Sequence, residues 1–570
     1  MNPNKSSVTA FAFLFLLIFI AACNDNSTAV STKDDIVTNP EKIDARAGKN
    51  LKEILLNAMT NNGRVDDSIR LQLTPLVNAF YSDNQYSTIW SEKEKWHPLT
   101  DSLLDFIEHA ELYGLFPKDY HFKNIRSLKN MLDQDSVKRM NAKLWTNADL
   151  LFTDAMFHIL KDLKVGRLQP DSISLNDDTT FIANVYIAGV KKAFSTNQFT
   201  PVLNSFEPQH AGYTALKSVI KKFTDSMDRR QFTYVVYPYK AKSEKDSIKF
   251  IGTIQKRLNE INCISFLNKL PDSTELGDAV KKYQKLKGLK QDGIISSSLV
   301  RLMNSNDVEK FKRIAITLDR YKQLPPKMPE KYIWVNLPGY YLEVWDHDTL
   351  ALESKVICGK TSTRTPLLNS YITNMVTYPT WTVPNSIIVK QYLPKLKTNP
   401  GYLAKLGLKL VNSKGVTISP WDVNWAKYSK GIPYKVMQNS GDNNALGIFK
   451  FNFDNEYAVY LHDTNQRYLF KNASRALSHG CVRVQEWEKL AYYIAANDSL
   501  NLPVGDSLRY NTDSIKQWIA NKQHKYMSVK DKVNLYIRYF SCEGKNGNVK
   551  FYDDIYGEDR AMREKYFSDK

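Results

Sequence analysis

Cysteine and histidine are scarce in this chain: of its 570 residues, 5 are cysteine and 9 are histidine. The cysteines at positions 263, 358, 481 and 542 are widely separated, so they provide neither the CxxC pairs of a metal site nor the dense spacing of a disulfide framework. One pair could still form a disulfide in an oxidising compartment, and the sequence does not indicate which. Nothing in the pattern points to a cofactor or a metal.

The start of the chain predicts export. An apolar run from Ala10 to Ala22 is too short to span a bilayer comfortably, so residues 1–22 are predicted to be a signal peptide. The Ile-Ala-Ala-Cys sequence that ends at Cys23 resembles the lipobox of bacterial lipoproteins, which implies lipidation of Cys23 and an N-terminal lipid anchor in a membrane. The alternative is an ordinary signal peptide followed by an incidental cysteine. Residues 23–50 are polar, and we expect a flexible tether there.

The formal net charge of +18 is dispersed along the chain. No stretch alternates basic with aromatic residues, as a nucleic-acid-binding track does. Because the chain start predicts export, we expect no nucleic-acid partner and instead anionic partners in the cell envelope. The predicted location is the periplasmic face of the envelope, as a membrane-anchored lipoprotein.

The segment LHDTNQRYLFKNASRALSHGCVRV, residues 461–484, concentrates groups that can do covalent chemistry. A cysteine reacts as its thiolate, which needs a nearby base or positive dipole at neutral pH. His462 is the candidate base, at the end of a strand predicted from Tyr457 to Leu461. Gly480 lacks a Cβ, so the backbone there can approach a substrate carbonyl and leave the Cys481 N–H free as an oxyanion donor.

Two further features favour the same interpretation. Arg483 is a candidate for holding a substrate carboxylate with its forked guanidinium. Residues Gln485 to Ala496 have helical periodicity, so we expect Cys481 just ahead of a helix N-terminus, whose dipole would stabilise a thiolate. A lone cysteine is usually a small buried hydrophobic residue, and a lone histidine is usually structural. The grouping of His462, Cys481 and Arg483 argues against that reading.

This segment resembles the signature of the L,D-transpeptidases, whose catalytic domain is of the YkuD type. The matching residues are His462 and, after fifteen intervening residues, the run Ser478-His479-Gly480-Cys481-Val482-Arg483. The sequence around them is similar to the YcbB-like branch. The resemblance implies that Cys481 is the acylated nucleophile, that His462 is the base, and that His479 shapes the oxyanion and substrate site.

Other site residues follow from the same resemblance. Substrate-binding roles are implied for Arg483, Ser478, Gly480, Asp463 and Trp381, the last within a Trp-Thr-Val-Pro phrase typical of the family. Many relatives carry glycine directly after the base, where a backbone carbonyl orients the imidazole. Asp463 stands there in this chain, so a carbonyl and a carboxylate are both candidates for that role.

The rest of the chain predicts a multidomain α+β protein. Apolar residues recur at helical spacing from Leu150 to Leu163, and strands joined by a Pro-Gly turn open at Tyr332. With the resemblance, the expected organisation is a helical scaffold domain (51–245), a small three-helix peptidoglycan-binding module (246–305), a linker helix (306–330), an all-β L,D-transpeptidase catalytic domain (331–500) with a capping insertion at about 390–440, and a C-terminal extension (501–570).

The function that the resemblance implies is peptidoglycan L,D-transpeptidation. Its partners would be stem peptides, a donor tetrapeptide that acylates the cysteine and an acceptor amine that forms the 3-3 cross-link. Rival readings are an L,D-carboxypeptidase or endopeptidase with water as the acceptor, and a transferase that joins a protein to the wall. A non-catalytic wall-binding lipoprotein is the rival from another class, although a binder has no need of the histidine, cysteine and arginine set.

Overall fold

The computed structural model describes residues 35–170, 173–175, 183–237, 242–501 and 510–569. The predicted signal peptide and Cys23 lie outside the described residues. Among the helices described, none combines the length and the apolar character needed to cross a membrane.

The first domain is helical and is built around one buried helix. Its described elements are α1 (Ile43–Thr60), α2 (Thr74–Asp83), β1 (Ser91–Glu92), β2 (Lys95–Trp96), α3 (Leu99–Glu108), α4 (Phe122–Gln134), α5 (Ser136–Arg139), α6 (Ala142–Lys164), α7 (Ala183–Thr196), α8 (Phe199–Asn204) and α9 (Ala211–Asp225). Helix α6 buries side chains around almost its whole circumference, which is typical of a core helix. The predicted helical character of this region is confirmed.

The flexible tether predicted for residues 23–50 extends too far along the chain. Asp35 is fully buried and accepts hydrogen bonds from Arg46 and Asn50. Helix α1 begins at Ile43, and the Ile43 and Ala47 side chains are also fully buried. Residues from Asp35 onward therefore belong to the folded first domain, and the rest of the predicted tether lies outside the described residues.

Three helices follow, as predicted for residues 246–305. They are α10 (Glu244–Asn259), α11 (Ser273–Leu286) and α12 (Ser297–Asn304). They enclose a separate small core that includes Ile254, Leu258 and Val280. A capping box between Asp272 and Glu275 begins α11. Peptidoglycan binding by this module stays a prediction.

Helix α13 (Asp307–Lys322) is more than the linker that the sequence suggests. Its residues Phe311, Ile314 and Leu318 are buried in a cluster that joins the helical domain to the following sheet, with Leu216 of α9 on one side and Trp334 on the other. This helix therefore fixes the first domain against the catalytic domain.

The catalytic domain is built on a ten-stranded sheet, counted over the described residues. Its strands are β3 (Lys331–Asn336), β4 (Tyr341–Asp346), β5 (Thr349–Gly359), β6 (Leu368–Thr377), β11 (Phe449–Phe453), β12 (Leu461–His462), β13 (Ala476–Ser478), β14 (Val482–Val484), β15 (Lys525–Ser528) and β16 (Asn534–Arg538). Because β11 pairs with both β12 and β6, the strand order closes on itself. Two helices pack beside it, α17 (Trp487–Leu500) and α18 (Thr512–Ala520). The α+β class is confirmed. Helix α17 contributes buried side chains to the core of this β-rich domain.

The predicted C-terminal extension is part of the sheet itself. Strand β16 lies between β3 and β6, parallel to the first and antiparallel to the second. The chain ends with a hairpin, β17 (Cys542–Lys545) and β18 (Asn548–Phe551), and with α19 (Glu558–Tyr566). Pairing between the first and the last part of a domain is a long-range event, which a local sequence pattern does not reveal.

The insertion in the catalytic domain is a folded subdomain, which we call the cap and define as residues 381–438. It contains a four-stranded sheet of β7 (Trp381–Thr382), β8 (Leu408–Val411), β9 (Thr417–Ile418) and β10 (Lys435–Gln438), and the short helices α14 (Asn385–Ile387), α15 (Leu393–Leu396) and α16 (Tyr402–Lys405). Val383, Leu396, Leu410 and Val436 form its core. The cap begins earlier than the predicted boundary near 390, because β7 pairs with β10.

A buried carboxylate holds α19 against α13, and its removal is expected to destabilise the protein. Asp559 is 2% exposed and is bound by Arg313 at 3.1 Å and Arg320 at 2.6 Å. In the variant Asp559→Asn, two partly buried guanidinium groups lose their counter-ion, so we expect a loss of about 3–5 kcal/mol in the free energy of unfolding. Urea denaturation of the protein measures this change in the free energy of unfolding. Asp513→Asn, which removes an exposed partner of Lys516, is the control and should leave the midpoint unchanged; equal midpoints for both variants would contradict the expectation.

Candidate active site

The predicted nucleophile and base lie side by side on two neighbouring strands. Strand β12 pairs in parallel with β14, so that Leu461 faces Val482 and His462 faces Arg483. Successive side chains of a strand point to opposite faces. Leu461 and Val482 point into the core of the closed sheet, where both are buried. His462 and Arg483 therefore share the other face with the residue that precedes each buried one, Tyr460 and Cys481.

Cys481 follows a tight turn that is held from both sides. Ser478 Oγ donates to the Cys481 carbonyl at 2.6 Å and accepts from the Gly480 N–H at 3.1 Å. Thr365 Oγ1 donates to the Gly480 carbonyl at 2.7 Å. Gly480 has φ +125°, a conformation that side chains with a Cβ rarely adopt. The Gly480 N–H is thus occupied, whereas no hydrogen bond from the Cys481 N–H is found within the described chain, which leaves it as the candidate oxyanion donor.

The helix N-terminus expected directly after Cys481 is not found there. Strand β14 follows Cys481 directly, and helix α17 begins only at Trp487. The helical periodicity from Gln485 was read correctly, but β14 separates the thiol from the helix end. A helix dipole acts within about one turn of its terminus, so it does not explain thiolate formation here.

The base is oriented by a backbone carbonyl. His462 Nδ1 is hydrogen-bonded to the carbonyl oxygen of Asp463, and the Leu446 backbone is a second hydrogen-bond partner of the ring. The carboxylate of Asp463 has other partners: Arg467 donates to it twice, and the Ile448 N–H donates at 3.1 Å. Asp463 is fully buried and its carboxylate is already paired, so in this structure it supports the loop that orients the imidazole, and the substrate-binding role suggested for it stays a prediction.

Both reacting groups are neutral in the resting site. Burial, together with the charges of Arg483 and Lys450, lowers the pKa of His462 to about 3. Burial raises the pKa of the Cys481 thiol above its ordinary value, although hydrogen bonds from Tyr460 and the charges of Lys450 and Arg483 act in the opposite direction. The site therefore holds a thiol and an imidazole at neutral pH rather than a preformed thiolate–imidazolium pair.

Two neighbours of the thiol escaped the sequence analysis. Tyr460 offers Cys481 both its backbone N–H and its hydroxyl. Lys450, on β11, lies directly opposite His462, and its ammonium is 4.0 Å from the centre of the Tyr460 ring. The alternation of a strand ending at His462 would have placed Tyr460 on the same face. No local sequence pattern indicates that Lys450 lies near the thiol, because its position depends on the register between β11 and β12.

The remaining predicted residues surround this face. Arg483 donates to the side chain of Gln466 at 3.1 Å. Trp381, in the cap, hydrogen-bonds to the Tyr460 hydroxyl. His479 reaches the cap as well, where the side-chain amide of Gln391 donates to its Nε2 at 2.5 Å. The cap therefore touches the candidate site at two points.

The other described cysteines stand apart from this chemistry. Cys263, Cys358, Cys481 and Cys542 are all unpaired, so the disulfide that the sequence left open does not form among them. Burial raises the pKa of Cys358 to about 11. Over the described residues, no three histidine, cysteine, aspartate or glutamate side chains are grouped as they would be around a metal ion.

Comparisons with known families give the chain two assigned regions. Residues 75–219 match the family described as the scaffold domain, and residues 330–506 match the family described as the L,D-transpeptidase catalytic domain. The second region contains Cys481, His462 and the other residues of the candidate site. The helical and the β-rich domains of the structure thus coincide with the two matches.

A curated relative and solved structures are similar to parts of this chain. A putative L,D-transpeptidase of Haemophilus influenzae is 33% identical over 251 residues, which are 44% of this chain and 49% of the relative. The chain thus spans about half the length of that relative. The acylated catalytic domain of the E. faecium L,D-transpeptidase aligns with 37% of this chain and 99% of its own, at 14% identity and a TM-score of 0.16. An L,D-transpeptidase from Mycobacterium smegmatis aligns with 37% and 58%, at 10% identity and a TM-score of 0.17.

Gly447 offers a test of how the imidazole is held. It has φ +64°, and a Cβ there would overlap the Asp463 carboxylate. The variant Gly447→Ala should displace the loop whose carbonyl orients His462, and we expect at least a roughly tenfold slower acylation of Cys481. Gly415→Ala is the matched control, since it has φ +81° but nothing within 4 Å. Both variants share the backbone strain of about 1–2 kcal/mol, so similar acylation rates in the two would refute the role of the loop.

Proposed function

Because residues 330–506 match the family of L,D-transpeptidase catalytic domains, we propose that the protein forms 3-3 cross-links between peptidoglycan stem peptides through a cysteine thioester. The observation that carries the proposal is the pairing of β12 with β14, which sets His462 opposite Arg483 directly beside the turn that carries Cys481. The donor is a tetrapeptide stem whose terminal residue is released, and the acceptor is an amine of a neighbouring stem.

The first half-reaction acylates the cysteine. His462 Nε2 takes the thiol proton as Cys481 Sγ attacks the donor carbonyl, and the developing oxyanion is stabilised by the Cys481 N–H with help from the surroundings of His479. The C–N bond of the scissile amide then breaks. His462 returns its proton to the departing amine, so the terminal amino acid leaves neutral at nitrogen and a thioester remains.

The second half-reaction transfers the acyl group to an amine. His462 accepts a proton from the acceptor amine as the amine nitrogen attacks the thioester carbonyl. The C–S bond breaks, the thiolate recovers the proton from His462, and the new amide bond is the cross-link. The resting site matches this cycle, because a neutral imidazole is the form that can act as a base.

The cap supports transfer over hydrolysis. Through Trp381 and Gln391 it contacts Tyr460 and His479, and we expect it to restrict the access of water to a thioester at Cys481. Exclusion of water matters because water competes with the acceptor amine. A carboxypeptidase or an endopeptidase would use the same cysteine with water as the acceptor, and a protein-to-wall transferase would use an amine from a protein.

The location and the outer partners belong to the same proposal. An exported, lipid-anchored protein, lipidated at Cys23, would meet its stem peptides at the periplasmic face of the cell envelope. The three-helix module at residues 246–305 would bind the wall and hold the catalytic domain near its substrate. These assignments rest on the sequence pattern at the chain start and on the order of motifs in the module.

Intact-protein mass spectrometry tests the proposed reaction. The soluble chain from residue 35 onward, incubated with a disaccharide-tetrapeptide, should gain the mass of the acyl group and yield a dimer with a 3-3 link. Cys481→Ala should show neither, whereas Cys358→Ala, which removes a buried thiol outside the site, should behave as the wild type. Free tripeptide without dimer would make the protein a carboxypeptidase. An unmodified wild type would favour the wall-binding alternative.

The pH dependence of alkylation tests the resting state of the thiol. Because burial raises the Cys481 pKa above 9.0, the rate of its reaction with iodoacetamide should rise about tenfold per pH unit from pH 6 to pH 9. His462 has a pKa of about 3 and stays neutral throughout this range, so it adds no inflection. Peptide mapping of the labelled Cys481 measures the rate. A plateau between pH 6 and pH 8 would instead indicate a preformed thiolate–imidazolium pair.

A further inference from the structure

Lys450 places a second positive charge at the candidate site, opposite the one that the sequence identifies. Across three neighbouring strands, Lys450 of β11 faces His462 of β12, and His462 faces Arg483 of β14. The imidazole therefore lies between two cations in one row. We call Lys450 and Arg483 the cation pair.

Neither member of the cation pair has an acidic counter-ion. Among the ion pairs found in the described chain, none includes Lys450 or Arg483. Lys450 rests on the Tyr460 ring, and Arg483 has only the neutral amide of Gln466, while its Nε is buried with no hydrogen-bond partner. Charged groups that leave bulk water are normally paired, because an unpaired charge in such a position is costly. The missing partner is therefore expected to arrive with the ligand.

The groups around the imidazole reinforce this expectation. His462 is paired with Lys450 of β11 and with Arg483 of β14, and its ring centre is 5.5 Å from that of Tyr460, the residue just before β12. The first two are cations, whereas Tyr460 and the nearby Cys481 thiol are neutral acids. The carboxylate of the adjacent Asp463 is bound by Arg467. The face that receives the substrate therefore has an uncompensated positive charge.

We propose that Lys450 is a substrate-binding residue that, together with Arg483, holds the terminal carboxylate of the donor residue that is released. This inference rests on the proposed function, in which the donor is cut just before its last residue. The carboxyl carbon of that residue is two bonds beyond the scissile nitrogen, so it must lie close to both Cys481 and His462 during attack. The ammonium of Lys450 acts electrostatically on both of those groups.

A carboxylate held by the cation pair would also change the base. In the free site both cations oppose protonation of His462. A bound carboxylate neutralises part of that charge and so makes the imidazole a better proton acceptor when a donor is in place. A donor without the carboxylate would bind less tightly and would also meet a weaker base.

The first experiment compares two donors and three variants. The donors are a disaccharide-tetrapeptide with a free terminal carboxylate and the same molecule with a terminal primary amide. The rate of Cys481 acylation is followed by intact mass for the wild type, Lys450→Met and Lys450→Arg. Lys525→Met is the matched control, because Lys525 also lies on a strand with its ammonium beside an aromatic ring, that of Trp518, but on an exposed surface.

We expect the wild type and the control to prefer the carboxylate donor by about tenfold or more, the usual range for a charge-assisted hydrogen bond. Lys450→Met should lose most of this preference, because the variant slows acylation by the carboxylate donor far more than acylation by the amide donor, and Lys450→Arg should retain it. An unchanged preference in Lys450→Met would overturn the proposal. So would an equal slowing with both donors, since that is the signature of a merely structural role.

A second measurement separates this inference from the proposed function. The alkylation rates of Cys481 with iodoacetate, an anion, and iodoacetamide, a neutral analogue, are compared in the same proteins. The iodoacetate rate divided by the iodoacetamide rate should fall several-fold in Lys450→Met. The iodoacetamide rate alone also reports whether the variant is folded. If the ratio falls but no donor acylates the wild type, the anion site stands and the transpeptidase proposal fails. If donors acylate the wild type but the ratio is unchanged, only the role of Lys450 fails.

Discussion

The pairing of β12 with β14 is the constraint on which the candidate site depends. Strand β12 is only Leu461–His462, and its register is fixed because Leu461 packs in the core between Phe451 and Val482. A slip of one residue would turn Leu461 out of the core and point the imidazole into it, away from Arg483. Burial of Leu461 and Val482 thus determines the face on which His462 and Arg483 lie. The stability of the sheet and the geometry of the chemistry have the same physical origin.

The site carries an electrostatic cost that a stable core would avoid. Two cations flank a buried imidazole, and no carboxylate lies between them. The compensating interactions are weak ones, a ring beneath Lys450 and an amide beside Arg483. Elsewhere the same chain neutralises buried charge fully, as Asp559 does with Arg313 and Arg320. The contrast marks the catalytic face as a place where charge is kept available for a ligand.

The sequence was informative wherever the signal is local. The run from Ser478 to Arg483 and the preceding His462 pointed to the candidate site, helical periodicity predicted the helical first domain, and a resemblance of motifs predicted the three helices that follow it. The sequence failed where the decisive contact is distant along the chain. The insertion of β16 beside β3, the place of Lys450 opposite His462 and the contact of Gln391 with His479 all depend on tertiary pairing. The full burial of Asp463 was likewise not foreseen, because burial cannot be inferred from a single polar residue.

The turn that presents Cys481 is held by two separate parts of the domain. From the side of the ten-stranded sheet, Ser478 and Thr365 fix the backbone of the turn. From the cap side, Gln391 fixes the ring of His479, and it does so from a π-helical turn, a distortion that is frequent at functional sites. Trp381 adds a contact to Tyr460, which itself touches the thiol. Both contacts come from the cap, so a displacement of the cap would change the surroundings of His479 and of Tyr460 together.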